Sequence, residues 1–105
     1  MVRGDVHSIT LPRRRGRVQH ALRYAIVVQA DDLLALSTVV ICPTSRSTPR
    51  ASFHPEVTVL GEATRAMCEM VGAVDVGSLG EHVGHLSLDE LRGVEDALIL
   101  VLGLH

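Results

Sequence analysis

The chain contains 105 residues, of which 47% are apolar, and carries a formal net charge of −2. A chain of this length is expected to form one domain, residues 1–105, with enough buried surface to fold without a disulfide or a structural metal. The near-neutral charge excludes a uniformly polybasic protein, although all ten cations are arginines. A guanidinium suits phosphate contacts, but a GC-rich genome would explain the same bias.

Neither targeting signals nor metal motifs stand out along the chain. The N-terminal residues lack the apolar segment of a signal peptide, and no apolar run approaches the length of a membrane helix. We therefore expect a cytoplasmic protein that makes no contact with a membrane. Cys42 and Cys68 lie in apolar segments without CxxC or Cys/His spacing, which predicts buried free thiols and no metal or other cofactor.

Strands come first in the chain and one helix comes last. Alternating or continuous apolar residues predict strands at 6–11, 24–29, 38–42, 56–60, 66–71 and 82–86. The predicted connections are an arginine-rich loop at 12–22, a turn or helical excursion at 30–37, a polar loop at 45–52 and a turn at 74–79. This order predicts a mainly β fold, a small barrel-like sheet with a C-terminal helix packed on it.

The final helix has recognisable start and stop signals. Ser87 and Glu90 form a capping-box pattern, in which each side chain bonds the other residue's backbone N–H. Apolar residues then recur at helical spacing, at Leu91, Val94, Leu98 and Val101. Gly103 is placed to end the helix.

Two predicted strand ends carry the residues with the clearest chemistry. Arg23 stands at the start of one apolar strand, and Thr44 and Ser45 follow the end of the next. In a small sheet such ends can meet at one rim, where a guanidinium and a hydroxyl could hold and activate a phosphodiester. The plainer alternatives are that Arg23 only pairs with Glu69 or covers the rim, and that the two hydroxyls only stabilise a turn.

Two histidines, His82 and His85, are three residues apart in a predicted strand. Side chains alternate between the faces of a strand, so the two imidazoles are expected on opposite faces. We therefore interpret them as structural residues rather than as a metal-binding pair.

Five segments together carry a family resemblance: Arg3-Gly-Asp-Val, Arg23-x-Ala-Ile-Val-Val-Gln29, Leu36-Ser-Thr-Val-Val40, Pro43-Thr-Ser45, and the ending Leu86-Ser-x-x-Glu-Leu with Ala97-Leu and Leu102-Gly-Leu104. In this order and with similar spacing over nearly the whole chain, they resemble the MazF/PemK-type toxins. No single segment is diagnostic, whereas the collinear set is fairly specific.

The resemblance implies an SH3-like barrel and a homodimer. It also implies a sequence-selective endoribonuclease toxin that needs no metal. Such a toxin cleaves single-stranded RNA, chiefly mRNA, by attack of a ribose 2′-hydroxyl on the adjacent phosphorus. A cognate antitoxin protein, whose extended tail binds the toxin, would neutralise it.

The family's catalytic groups fall on Arg23 and Thr44 of this chain, with Ser45 beside the threonine as an RNA-binding residue. By this resemblance Arg23 would stabilise charge on the phosphorane-like oxygens, and Thr44 would supply a hydroxyl donor. An acidic group of some members falls on Glu69, which could orient Arg23 or take a proton. Tyr24, next to Arg23, is the expected stacking platform for a base.

The loop before the second strand is the other expected RNA-binding element, through Arg15, Arg17, Gln19 and His20. Its arginines would steer RNA by long-range attraction, although such a loop could equally be a solvated connection. His20 could act as an acid–base group, because imidazole titrates near neutrality.

The chain also departs from the family pattern. A tryptophan position holds His7, a glutamate position holds Val18, and a proline position holds Tyr24. A Gln-x-Arg-Thr segment reads Met70-Val71-Gly72-Ala73, which removes an amide, a cation and a hydroxyl together. These changes leave open an alternative function, a catalytically weak or inactive barrel that binds antitoxin peptide or RNA without cutting.

Overall fold

A computed structural model of the chain describes residues 1–10 and 23–105. Short 3-10 helices span Asp31–Leu33, Cys68–Met70 and Val76–Ser78. The strands are β1 (Asp5–Ile9), β2 (Arg23–Val27), β3 (Thr38–Ser45), β4 (Glu56–Val59), β5 (Glu62–Ala66), β6 (Gly72–Asp75) and β7 (Leu79–His85), and the helix is α1 (Leu88–Leu102). The predicted order of strands followed by one C-terminal helix is confirmed.

The strands form one curled antiparallel sheet. Their order is β4-β5-β3-β2-β1-β7, and β6 pairs with β3 beside this path. The sheet bends into a half-barrel that α1 packs against, which confirms the expectation of a small, mainly β, SH3-like fold.

The long strand β3 changes partner along one of its edges. Its first half pairs with β6, through Ile41 opposite Gly72, and its end pairs with β5, through Thr44 opposite Ala66. Pro43 lies at the change, where its carbonyl accepts a hydrogen bond of 2.8 Å from the N–H of Met67. Proline has no N–H to give to a ladder, so this break in the pairing is where a central strand tolerates it.

Apolar side chains are buried on both faces of the central strands. Ile26 of β2 belongs to the main core beneath α1, whereas its neighbours Ala25 and Val27 belong to a second cluster on the opposite face. Burial on both faces explains why these strands read as continuous apolar runs instead of alternating ones. Val94 and Ala97 of α1 are the helix residues buried in the main core.

The signals at both ends of the helix act as predicted. The Ser87 hydroxyl accepts a hydrogen bond of 3.1 Å from the N–H of Glu90, and the Glu90 carboxylate accepts one of 2.9 Å from the N–H of Ser87. A second oxygen of Glu90 accepts from the N–H of Thr58, so the cap also ties the helix to β4. Gly103 ends the helix with a left-handed φ of 67°.

The strand predicted at 66–71 is wrong. Residues Glu62–Ala66 form β5, Cys68–Met70 form a 3-10 turn, and β6 follows. The apolar run misled the prediction because its residues have separate roles: Ala66 and Cys68 enter the core, whereas Met70 is exposed. The hairpin between β4 and β5 was missed for the same reason.

The expectation that His82 and His85 face opposite sides of a strand is also wrong. An irregularity in the β1–β7 ladder pairs Val6 with Gly84 but His7 with His82, which leaves one extra residue in β7. Such a bulge shifts the alternation of side chains. Both imidazoles therefore contact Oδ1 of Asp5, His85 through Nδ1 at 2.9 Å and His82 through Nε2 at 3.2 Å.

These contacts hold the carboxylate of Asp5 in its charged form. Burial raises the pKa of Asp5, but hydrogen bonds from the Val2 N–H, His85 and His82 outweigh it and lower the pKa to about 2. The cluster fastens the start of β1 to β7.

Cys42 and Cys68 are buried free thiols that form no disulfide, as predicted. Their Sγ atoms lie 3.7 Å apart, and this hydrogen bond, with burial, raises the pKa of the Cys42 thiol. Within residues 1–10 and 23–105, no helix combines the length and the apolar content needed to cross a membrane.

Candidate active site

A cavity of about 450 Å³ opens where β2 begins, β3 ends and the β4–β5 hairpin turns. Its walls come from three sequence-distant segments, because the antiparallel order β5-β3-β2 brings the end of one strand beside the start of the next. The lining residues are Arg23, Tyr24, Thr44, Ser45, Arg46, Ser47, Val59, Leu60, Glu62 and Thr64. Four of them, Arg23, Tyr24, Thr44 and Ser45, were predicted from the sequence as site residues.

Thr44 and Tyr24 are joined at the floor of this cavity. The Thr44 hydroxyl donates a hydrogen bond of 3.2 Å to the backbone carbonyl of Tyr24. Thr44 is only 4% exposed, and its single hydroxyl proton is engaged in this bond, so it donates to a ligand only by turning away from the carbonyl. Arg23, the first residue of β2, is half-buried beside it.

The other hydroxyls continue the polar wall along the chain. The Ser45 hydroxyl accepts a hydrogen bond of 3.3 Å from the N–H of Ser47, and the two side-chain oxygens are 3.2 Å apart. This local bonding turns the chain after β3 and exposes Arg46 at the rim of the cavity.

Arg46 forms an ion pair with Glu62 across the mouth of the cavity. Their side chains are 71% and 60% exposed. An ion pair in water contributes little to stability, at most about 1 kcal/mol. The pair can therefore open at low cost, and Arg46 then adds a second guanidinium to the side that holds Arg23.

The hairpin wall has an unusual backbone. Val59 pairs with Glu62, so the loop between them has two residues, Leu60 and Gly61, with φ values of 53° and 79°. Two positive φ values are typical of a type I′ turn, in which Asn, Asp or Gly is normal. A leucine in this region costs about 1–2 kcal/mol.

Glu69, which was predicted as a catalytic residue, lies outside the lining of the cavity. Both of its carboxylate oxygens contact Nε2 of His54, at 2.8 and 2.9 Å. Nδ1 of His54 contacts the carbonyl of Pro49 at 2.9 Å. Since a carbonyl and a carboxylate both accept, the buried imidazole must donate through both nitrogens.

The contacts of His54 with Glu69 and Pro49 thus favour the protonated imidazole. Burial lowers the pKa of His54, but the hydrogen bonds to Glu69 and Pro49 outweigh it and the net pKa is raised. The His54–Glu69 pair fixes the loop before β4 against the turn before β6, and no local pattern of residues predicts this structural role.

The remaining sequence-predicted site residues, Arg15, Arg17, Gln19 and His20, lie outside the described residues. Met70-Val71-Gly72-Ala73, the segment that departs from the family pattern, spans the end of the 3-10 turn and the start of β6, where Gly72 pairs with Ile41. None of its residues lines the cavity that the described chain forms.

Sequence reasoning missed Arg46, Leu60 and Glu62. Arg46 directly follows the predicted pair Thr44-Ser45, and it was assigned to a polar loop. The hairpin turn is indicated only by Gly61 after the predicted strand 56–60, because β5, with the sequence Glu-Ala-Thr-Arg-Ala, has no apolar alternation. In the described part of the chain, no three His, Cys, Asp or Glu side chains are arranged to hold a metal ion.

The arrangement resembles that of a known family, and the match covers most of the chain. Residues 2–102 match the family of PemK-like, MazF-like toxins of type II toxin–antitoxin systems. The chain belongs to this family.

One curated relative agrees with the assignment, and two solved structures share the fold. A curated protein of Mycobacterium tuberculosis H37Rv, named "Putative toxin Rv3098A", is 32% identical over 106 residues, which cover 99% of each chain. MazF of Deinococcus radiodurans has the same fold, with a TM-score of 0.82 and 18% identity over 98% of this chain and 96% of its own. A mycobacterial endoribonuclease, solved in complex with its cognate antitoxin, has a TM-score of 0.78 and 14% identity over 100% and 97% of the two chains.

Proposed function

We propose that the protein is the toxin of a toxin–antitoxin pair and acts as a sequence-selective endoribonuclease on single-stranded RNA, chiefly mRNA. The observation that carries this proposal is the position of Arg23 and Thr44 on the walls of one cavity, in a chain of the PemK/MazF-like family. The endoribonuclease activity of a mycobacterial structure with the same fold supports it.

The proposed reaction is an internal transfer at one phosphodiester. The ribose 2′-hydroxyl gives its proton to solvent and attacks the adjacent phosphorus. The bond to the 5′-oxygen breaks, that oxygen takes a proton from solvent, and the products carry a cyclic phosphate and a 5′-hydroxyl. Arg23 stabilises the negative charge that develops on the phosphoryl oxygens, and the Thr44 hydroxyl turns from the Tyr24 carbonyl to donate its single proton to one of them. A guanidinium keeps its charge at neutral pH, so Arg23 acts as an electrostatic group and not as a base.

The remaining cavity residues position the RNA. Arg46 exchanges Glu62 for a backbone phosphate, Ser45 contacts the sugar–phosphate chain, and Tyr24 offers a face for one base. We assign Glu69 to the support of the loop at His54 rather than to proton transfer, because its carboxylate is already held there.

The partners of the protein follow from the same proposal. A cognate antitoxin occupies the cavity with acidic and apolar side chains that meet Arg23 and Arg46, and thereby excludes RNA. The toxin acts as a homodimer in the cytoplasm, where its mRNA substrate is found.

The test is cleavage of a long end-labelled RNA by purified protein in excess EDTA. Arg23→Ala is compared with Arg92→Ala, which removes the same charge from an exposed position on α1. We expect the wild type and Arg92→Ala to give discrete fragments with 5′-hydroxyl ends, and Arg23→Ala to give none. Intact RNA with the wild type, or equal cleavage by Arg23→Ala, would contradict the proposal.

A further inference from the structure

Leu60 combines backbone strain with exposure. Its φ of 53° is the one positive value at a non-glycine position among the described residues, and its side chain is 61% exposed. A strained residue is usually retained where its side chain has a use. Leu60 does not belong to either core cluster, so packing within the described fold does not supply that use.

The side chain of Leu60 lines the cavity that holds Arg23 and Thr44. It stands at the tip of the β4–β5 hairpin, whereas Tyr24 stands on β2, on the other side of β3 in the sheet order. The cavity is therefore lined by Leu60 on the hairpin side and by Arg23 and Tyr24 on the β2 side, with Thr44 of β3 between the two sides in the sheet order.

We propose that Leu60 is a specificity-determining residue, which forms the apolar wall for one nucleobase next to the scissile phosphate. This inference rests on the proposed endoribonuclease function and adds to it a residue that reads the substrate. Stacking on a face alone accepts every base. An aliphatic side chain that limits the space beside the scissile phosphate instead favours a purine or a pyrimidine by size, and it leaves the polar edge of the base to the polar rim.

The scarcity of aromatic rings strengthens the assignment. The chain contains one tyrosine and one phenylalanine. The ring of Phe53 lies against His54, with centroids 4.5 Å apart, outside the cavity lining. Tyr24 is therefore the only aromatic ring among the lining residues, and a second apolar contact for a base must be aliphatic. Two aliphatic residues line the cavity, Val59 and Leu60. Val59 is only 7% exposed, so Leu60 offers the exposed aliphatic surface.

The test compares three variants of the full chain. Leu60→Asn removes the apolar wall but suits the left-handed backbone, Leu60→Met keeps the wall apolar, and Leu88→Asn alters a comparably exposed leucine at the start of α1. Each protein is melted thermally and then used to cut a long RNA, with all cleavage positions sequenced.

We expect Leu60→Asn to melt no lower than the wild type and yet to show a KM about fivefold higher, the loss of one weak base-stacking contact. Its base preference should relax at a single position of the cleaved sequence, a change that a purely structural role would not produce. Leu60→Met and Leu88→Asn should keep the wild-type preference.

Two outcomes separate this inference from the function on which it rests. If the wild type cuts no RNA, the proposed function fails and the inference fails with it. If the wild type cuts RNA and Leu60→Asn cuts it with the same KM and the same preference, the inference alone is overturned. A melting temperature well below that of the wild type would also overturn it, because Leu60 would then be a stabilising residue.

Discussion

The hydroxyl of Thr44 and the backbone carbonyl of Tyr24 are joined by a hydrogen bond of 3.2 Å. This bond ties the end of β3 to the start of β2, where Arg23 is the neighbouring residue. The two groups assigned to catalysis are therefore held in register by the sheet and by one side chain, rather than by a loop.

Thr44→Val and Thr44→Ser separate the two roles of this hydroxyl. Valine keeps the shape but leaves the Tyr24 carbonyl without its donor, which should lower the free energy of unfolding by about 1 kcal/mol. If the hydroxyl also donates to the phosphoryl oxygen, kcat should fall about 100-fold in the valine variant. Serine should restore most of both values. A valine variant that is less stable but cleaves RNA at the wild-type rate would remove Thr44 from the mechanism.

Glu62→Gln and Arg46→Gln test the ion pair at the mouth of the cavity. Loss of the carboxylate releases Arg46 and removes a negative charge near the RNA, so affinity should rise about threefold. Arg46→Gln should weaken binding and reduce the slope of log K against log salt by about 0.7, the effect of one phosphate contact on a single strand. Binding is measured by titration of a 2′-O-methyl RNA, which lacks the attacking hydroxyl. Equal salt slopes for wild type and Arg46→Gln would place Arg46 outside the RNA contact.

Asp5→Asn should reveal an acid-dependent contribution to stability. The pKa of Asp5 is lowered to about 2 in the folded protein, so its stabilisation is complete above the unfolded value and is lost as the pH falls toward 2. The shift corresponds to about 2 kcal/mol at neutral pH. Denaturant unfolding should show Asp5→Asn less stable than the wild type at pH 7, with the difference vanishing near pH 2. A difference that is constant over this range would assign the effect to packing.

Glu69→Gln should change the pH dependence of stability and leave cleavage intact. The pKa of His54 is raised by its partners, so its contribution is complete below the unfolded value of about 6.5 and is lost as the pH rises through the folded value. Thermal melting of the wild type should therefore show a fall in stability above this pH, which Glu69→Gln and His54→Gln both abolish. Loss of cleavage in a Glu69→Gln protein that remains folded would instead give Glu69 a role in proton transfer.

Much of the fold followed from local sequence signals. The continuous apolar runs of β2 and β3 and the capping box at Ser87 are set by neighbouring residues, so they could be predicted. The site residues Arg23 and Thr44 could be placed at strand ends, although their position on one cavity depends on the register of β2 and β3.

The features that escaped prediction depend on contacts between distant segments. The bulge in β7 that turns His82 and His85 toward Asp5 leaves no trace in the spacing of the histidines. The His54–Glu69 pair likewise joins two loops, and its acidic partner was expected at Arg23. In each case, the position of a polar side chain is decided by a buried partner and not by local periodicity.

Strand β3 is paired along both of its edges, and this affects how ligands bind beside it. Its amide hydrogens can exchange with solvent only after ladders to β2 and to β5 or β6 have opened, so they belong to the slowest-opening part of such a sheet. The backbone at Thr44 is therefore already ordered, so little conformational entropy is lost there when a ligand binds. RNA and antitoxin alike would meet a rigid platform, and the adjustment would fall to the side chains at its rim.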